Sequence, residues 1–384
     1  MDNEKVSQSL ELPAHIAFTQ GLTSPINESL SHSSAQSLTV KQLCALAETD
    51  FTSLADISLD YASLRGELKL RKQIALFHQH LNCHEVHLDE NNVLNFCGAQ
   101  EGLAAIYQLL LEENDEVVVV TPCYPSLITM VEQRGAIVRS ITLSADKNWQ
   151  LSIDDFKNQV NQHTKLIVLN SPHNPTGSII DSYLADEILA LAQAFDCYVI
   201  ADDVAQASNY RGLPLAHRFL DYEKALVVGV LSKSFGLSGI RVGWVVSRNQ
   251  HLLNELLVIK SYGSICCSVV DEHLALIAFE HKDKIITDNN RQILANIALF
   301  ENFIKQHQSL VSWQPPQAGI LALVEMKNEQ NLEGWAQQVA EQTGILILPA
   351  ILFGLTGGYF RLGLGKSNFK QTLNRFSAYL CEKY

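Results

Sequence analysis

The residues best suited to chemistry lie in one run, Leu231–Trp244, which reads Leu-Ser-Lys-Ser-Phe-Gly-Leu-Ser-Gly-Ile-Arg-Val-Gly-Trp. Lys233 stands between two serines at the end of an apolar stretch, and Arg241 follows eight residues later. Burial at a strand end lowers a lysine pKa, and an amine must be neutral to attack a carbonyl and form a Schiff base. Arginine and hydroxyl groups suit a phosphate. The run therefore predicts a lysine that binds pyridoxal 5′-phosphate (PLP).

A second motif, Asn170-Ser-Pro-His-Asn-Pro-Thr-Gly177, stands about sixty residues earlier. Either motif alone could be an ordinary Gly/Pro turn between a strand and a helix. Together and in this order, they closely resemble motifs of the class I/II aminotransferases, a family of fold-type I PLP-dependent enzymes. The resemblance covers roughly residues 40–384. It implies an α/β fold with a mostly parallel large-domain sheet and a smaller α+β domain.

The alternation of apolar strands and helices from about residue 93 agrees with such a fold, because short apolar strands separated by helices indicate a parallel sheet covered on both faces. The predicted strands are Val117–Thr121, Ile137–Ile141, Leu166–Asn170, Tyr198–Asp202, Leu226–Leu231 and Val242–Val246. After residue 265 a long helical stretch runs to about residue 306, and a mixed pattern follows. We predict an N-terminal arm (1–45), a large PLP-binding domain (46–265), and a helical stretch with a small C-terminal domain (266–384).

Composition limits the partners of the chain, which has 384 residues, 47% of them hydrophobic, and a net charge of −13. The acidic balance argues against nucleic acid or an anionic membrane, since both attract a basic surface. The start of the chain lacks the apolar core of a signal peptide, and no apolar run is long enough to span a bilayer. Eight cysteines are scattered without a Cys-x-x-Cys pair. We therefore expect a cytoplasmic enzyme with reduced thiols.

One cluster of possible metal ligands falls within ten residues and consists of His78, His80, Cys83, His84 and His87. It has no carboxylates at fixed spacing and no second cluster, both of which a metal site would be expected to have. We therefore predict no metal, and expect these residues to end a surface helix and begin a loop.

The family resemblance implies a role for each residue around the ring of PLP. Lys233 would form the Schiff base and later move the Cα proton of an amino acid substrate. Asp202, after the apolar run Tyr-Val-Ile-Ala, would pair with the pyridine nitrogen and keep it protonated, although an aspartate at a strand end can also be a simple cap. Asn174 would donate its amide to the phenolic oxygen, and Tyr124 would stack on the ring.

The resemblance also implies how the phosphate and the substrate are bound. The first N–H groups of a helix after residue 98 would face the phosphate, and the phosphate shell would consist of Gly98, Ala99, Gln100, Ser232 and Arg241. Tyr61, in Asp-Tyr-Ala-Ser-Leu-Arg-Gly, resembles the tyrosine that reaches the phosphate of a neighbouring subunit, so a homodimer with shared active sites is implied. Arg361 would bind the substrate α-carboxylate together with Asn174. An arginine on an apolar strand needs such a partner.

One position departs from the family pattern. The family usually has a tyrosine three residues after the pyridine aspartate, and this chain has Ala205 there. The loss of that hydroxyl leaves Asn174 as the main partner of the phenolic oxygen. Transamination tolerates this loss, but it suggests a specialised branch.

The two motifs and Ser31–Leu46 also resemble the PLP cyclodehydratases of hydroxyarginine, such as capreomycidine synthase, and the related enduracididine-type cyclases. Such an enzyme needs carboxylates for the guanidinium, for which Glu11 and Asp203 are candidates, and a proton donor, for which His15 or His32 is a candidate. A conventional amino acid:2-oxo acid aminotransferase is the alternative reading. A non-catalytic PLP-binding regulator is a remote one.

Overall fold

The computed structural model describes residues 11–81, 87–215 and 218–384. Within these ranges the chain forms twelve α-helices: α1 (Ala14–Gly21), α2 (Val40–Leu46), α3 (Leu68–Leu81), α4 (Ala99–Leu110), α5 (Ser126–Gln133), α6 (Ile153–Lys157), α7 (Ser182–Ala194), α8 (Gln250–Ser261), α9 (Val269–Glu280), α10 (Lys282–Gln306), α11 (Leu332–Thr343) and α12 (Phe369–Lys383). The strands in the same ranges are β1 (Glu28–Ser29), β2 (Val93–Phe96), β3 (Glu116–Thr121), β4 (Ile137–Thr142), β5 (Thr164–Asn170), β6 (Tyr198–Asp202), β7 (Ala225–Val230), β8 (Gly243–Val246), β9 (Val311–Trp313), β10 (Leu321–Met326), β11 (Ile345–Leu346), β12 (Leu348–Pro349) and β13 (Tyr359–Gly363). Each helix among the described residues is too short or too polar to cross a lipid bilayer.

The largest sheet has seven strands in the order β2-β8-β7-β6-β5-β3-β4. Five neighbouring strands, from β7 to β4, run parallel, and β8 runs antiparallel to both of its neighbours. Strands β3, β5, β6 and β7 are almost entirely buried, as expected where helices cover both faces of a parallel sheet. The predicted α/β fold with a mostly parallel sheet is therefore confirmed. The edge strand β2 and the direction of β8 were not predicted from the sequence.

The polar residues of the predicted site follow the carboxyl ends of neighbouring strands in this sheet. Strand β5 ends at Asn170 and β6 ends at Asp202, and these two residues are register partners. Lys233 follows the end of β7 by three residues. Since parallel strands all end at the same edge of the sheet, ligands in such folds bind outside that edge. The topology therefore brings together residues that are far apart in the sequence.

A second, antiparallel sheet in the order β12-β13-β10-β9 belongs to the C-terminal part of the chain. Its core includes aromatic residues of the sheet and of the helices packed on it, among them Phe300, Trp335, Phe360 and Phe376. This is the smaller α+β unit that the sequence pattern predicts. The predicted domain bounds, at 45/46 and 265/266, stay a prediction.

The arm packs closely against this second unit. Strand β1 pairs in parallel with β11, with Glu28 opposite Ile345, and Leu30 is fully buried. At Gly363 of β13, a Cβ atom would lie 1.9 Å from the carbonyl oxygen of His32. Only a glycine leaves room for the arm at this point, and the arm then continues to the edge of the large sheet.

Two local features differ from the sequence-based expectation. The predicted long helical stretch is divided at His281 into α9 and α10. His78 is buried rather than on the surface, because its Nε2 accepts a hydrogen bond of 2.8 Å from Nε1 of Trp244, and a buried tryptophan N–H needs such a partner. Cys83 and His84 lie outside the described residues. No group of three or more metal-ligating side chains is found among the residues that are described.

Candidate active site

A cavity of about 260 Å³ opens at the carboxyl edge of the large sheet. Most of the residues that the sequence predicts for the site line this one cavity, namely Ala99, Gln100, Tyr124, Asn174, Asp202, Ser232, Lys233 and Arg241. They come from the ends of four different strands or the loops that follow them, and from the start of α4. Whether each of them has its predicted role stays a proposal, but their convergence makes this cavity the candidate active site.

Lys233 lies at the base of the cavity, and its Nζ donates a hydrogen bond of 2.9 Å to Oγ of Ser33. Burial, together with the positive charges of Arg361 and Arg241, lowers the pKa of Lys233 to about 8, and the negative charge of Asp202 partly opposes this change. With that pKa, about a tenth of the lysine is neutral at pH 7, far more than for an exposed lysine. The amine is therefore suited to attack a carbonyl group.

Asp202 is a buried carboxyl group at the end of β6. Burial raises its pKa to about 6, although the N–H of Val204 and the charge of Lys233 act in the opposite direction. A buried carboxylate is stabilised by a cation within direct contact. The protonated nitrogen of a pyridine ring would be such a cation, so this residue fits PLP.

The turn before α4 forms a site that suits a phosphate. Gly98 has a φ of 97°, and a Cβ atom there would lie 2.4 Å from Nη2 of Arg241. The same guanidinium donates hydrogen bonds to the backbone oxygens of Ser238 (3.1 Å) and Cys97 (3.4 Å), and its Nη1 lies 3.5 Å from Oγ of Ser232. The arginine is thus held next to the free N–H groups of the helix, an arrangement that favours an anion.

Arg361 lies on β13 and is 4% exposed. Its Nη2 donates a hydrogen bond of 3.0 Å to the carbonyl oxygen of Ser31, and its Nη1 lies 3.5 Å from Oδ1 of Asn174. The guanidinium carbon lies 4.4 Å from the centre of the Phe353 ring. Burial lowers its pKa to about 10, and its Nε has no hydrogen-bond partner among the described residues. A substrate carboxylate would supply both a countercharge and hydrogen-bond acceptors.

The arm contributes groups that the sequence reasoning missed or left open. Ser33 was not predicted, since a serine in an arm carries no signal of its own. His15 of α1 lies with its ring centre 5.4 Å from that of Tyr124 and 5.8 Å from that of Phe353. Burial and the positive charges of Arg361 and Lys233 lower the pKa of His15 to about 4. The arm therefore places a neutral imidazole next to Tyr124, one of the residues that line the cavity.

Three predicted residues lie away from this cavity. Asp203 accepts a hydrogen bond of 3.0 Å from Nε2 of Gln206 and lines a different, smaller cavity, because consecutive residues at a strand end point to opposite faces. Tyr61 is on the surface and 81% exposed. Glu11 is exposed, three residues before α1 begins.

The fold and the cavity define a class of protein, the fold-type I enzymes that use PLP. The family model for aminotransferase class I and II matches residues 32–375, and the chain belongs to that family. The protein is therefore a PLP-dependent enzyme rather than a non-catalytic regulator.

The similar proteins include both transaminases and cyclases. Capreomycidine synthase of Streptomyces vinaceus is 28% identical over 291 residues, which are 76% of this chain and 74% of that protein. A PLP-dependent aminotransferase from Streptococcus suis has a TM-score of 0.89 at 24% identity and covers 97% of this chain and 98% of its own. The PLP-dependent cyclase OrfR has a TM-score of 0.88 at 24% identity and covers 98% of both chains.

Proposed function

We propose that this enzyme converts a hydroxylated arginine into a cyclic guanidino amino acid with loss of water. The observation that carries this proposal is the position of His15 of the arm, whose ring centre lies 5.4 Å from that of Tyr124 in the cavity lining and whose pKa is lowered by burial and by the charges of Arg361 and Lys233. The similarity to capreomycidine synthase also supports a cyclodehydratase. So does Ala205, which stands where the family usually has a tyrosine.

The residues of the cavity account for the steps that such a reaction needs. When bound, PLP withdraws electrons from the substrate Cα, and the carboxylate of Asp202 favours the protonated ring that does so. Arg361 binds and orients the α-carboxylate, while Lys233 removes the Cα proton. The side-chain hydroxyl then leaves as water with one proton. A guanidino nitrogen forms the new C–N bond and loses its own proton, and Lys233 returns to Cα the proton that it removed, so the product is the substrate minus one water.

His15 is the candidate to handle a proton at the leaving hydroxyl. Its lowered pKa means that it is neutral at working pH before substrate binds, and not the cationic acid that its ordinary pKa would suggest. A substrate carboxylate would neutralise the charge of Arg361, one of the causes of the lowering. Its Nδ1 is buried and has no partner among the described residues, so it is free to bond to a ligand.

For the guanidinium, Glu11 is the better of the two proposed acids. Asp203 faces another cavity. Burial, and to a smaller extent the negative charge of Asp202, raises the pKa of Asp203 well above its usual range, which disfavours the charged form that a guanidinium would need. Glu11 is exposed and precedes the helix that carries His15 to the cavity. Among the described residues that line the cavity, Asp202 is the one carboxylate, and it is assigned to the cofactor.

Incubation of the enzyme with hydroxyarginine alone should give a product lighter by one water, detected by mass spectrometry. No 2-oxo acid should be needed, because PLP is restored in every turnover. In parallel, common amino acids with 2-oxoglutarate should give no rapid keto acid formation. Fast keto acid formation in the second mixture, with no dehydrated product in the first, would favour the conventional aminotransferase.

We also propose a homodimer with shared active sites. Tyr61 is far more exposed than a tyrosine that packs within its own chain, and Tyr262 and Leu59, 91% and 82% exposed, are also on the surface. We propose that these side chains belong to one apolar patch, since a large contiguous apolar surface is typical of an interface. Light scattering should give a dimer, and Tyr61→Phe should weaken the binding of PLP. A monomer with full activity at low concentration would refute the proposal.

A further inference from the structure

A second, smaller cavity of about 30 Å³ lies directly beside Lys233. Its lining includes Lys233, Ser33, His173 and Ala205. The volume exceeds the 10–15 Å³ or so that one water molecule requires. The small side chain of Ala205, at the position where the family usually has a tyrosine, leaves this space open.

One wall of this cavity carries a histidine with an unused nitrogen. His173 is 4% exposed, and its Nδ1 lies 2.9 Å from Oγ1 of Thr176. Its Nε2 is buried and has no hydrogen-bond partner among the described residues. Burial lowers its pKa to about 3, so the ring is neutral at working pH. A buried imidazole nitrogen of either tautomer requires a donor or an acceptor.

The lining of the same cavity also includes the amine of Lys233 and the hydroxyl that it contacts. Oγ of Ser33 accepts the hydrogen bond from Nζ of Lys233 at 2.9 Å, which leaves the hydroxyl hydrogen of Ser33 free to donate to another acceptor. A water molecule in the cavity would therefore have several polar groups among its neighbours. Water in protein interiors is held by two to four such groups.

We propose that this cavity holds ordered water that links Nε2 of His173 to Ser33 and Lys233, and that His173 is a positioning residue for the amine. Next to Lys233, the water makes the hydrogen bonds that a side chain at position 205 could make but that Ala205 cannot. The proposal rests on the proposed role of Lys233 but not on which reaction the enzyme performs.

The solvation of Lys233 determines in which direction its pKa should change when the water is lost. Water next to the nitrogen of Lys233 stabilises its protonated form more than its neutral form. Loss of the water therefore lowers the pKa of that nitrogen, whether His173 is removed or the cavity is filled. If two substitutions remove the same water molecule, their effects on this pKa should not be additive.

The test compares His173→Leu, Ala205→Val and the double variant with the unchanged holoenzyme, without substrate. The measurement is the pH midpoint of the visible absorption of the lysine-bound cofactor. Each single change should lower the midpoint by at least about half a pH unit, and the double variant should go no lower than the larger single effect. His173→Gln keeps a polar group, so its midpoint should lie close to that of the unchanged holoenzyme. His163→Leu, at an exposed site, should not change the midpoint.

The outcomes separate this proposal from the proposed function. Unshifted or additive midpoints, or a crystal structure of the holoenzyme with a dry cavity, would overturn the water link. If the His173→Leu variant does not fold, the midpoint of the Ala205→Val variant still tests the proposal. A holoenzyme with no visible absorption from Lys233 would instead refute the assigned role of the lysine itself.

Discussion

Lys233→Ala should lower kcat/KM by about 10⁴-fold or more, the upper end of what a general acid–base group contributes. The loss should be this large because, in the proposed mechanism, this one side chain both binds the cofactor covalently and moves the Cα proton. The visible absorption of the lysine-bound cofactor should disappear, while PLP can still be held by the phosphate site around Gly98 and Arg241. Steady-state kinetics and absorption spectra measure both effects.

The matched control is Lys69→Ala, which removes an exposed lysine from α3. It should leave kinetics and spectrum unchanged. Borohydride reduction of the unaltered holoenzyme, followed by peptide mapping, should attach the cofactor to the peptide that contains Lys233. Attachment at another lysine, or a Lys233→Ala enzyme that retains activity, would contradict the assignment.

Arg361→Lys should lower kcat/KM roughly 100-fold or more, with most of the loss as a rise in KM. The guanidinium is buried, is oriented by the backbone of Ser31 and lies against Phe353, so it can bind a carboxylate with two parallel hydrogen bonds. An ammonium keeps the charge but not this geometry. The visible spectrum should change little, because this residue is assigned to the substrate rather than to the cofactor.

The control for this change is Arg291→Lys on α10, an exposed arginine that pairs with Asp288, and it should have no kinetic effect. A further check uses amino acid analogues without the α-carboxylate. They should be poor substrates of the unaltered enzyme and should lose little more in the variant. An equal loss for both kinds of substrate would show that the arginine acts on something other than the carboxylate.

The fold and most of the residues that line the cavity can be predicted from the amino-acid sequence. The apolar runs of β3, β5, β6 and β7 are readable locally, and a parallel sheet brings the carboxyl ends of its strands to one edge. Asp202 and Lys233 follow such ends, so their convergence could be expected before any coordinates. The family's lysine and Asn-Pro-Thr-Gly motifs are contiguous in the chain and could be recognised for the same reason.

The further groups that contact these residues could not be predicted, because long-range packing brings them there. Ser33 contacts Lys233 from 200 positions away in the chain, and Ser31 contacts Arg361 from 330 positions away. No local pattern reports such contacts, because they depend on how the arm packs against the second sheet. Asp203 was a candidate by its chemical type, but alternation at the strand end turns it away from the cavity. Residue types and spacing determine what chemistry is available, whereas long-range packing decides which groups come within reach of one another and how burial shifts their pKa values.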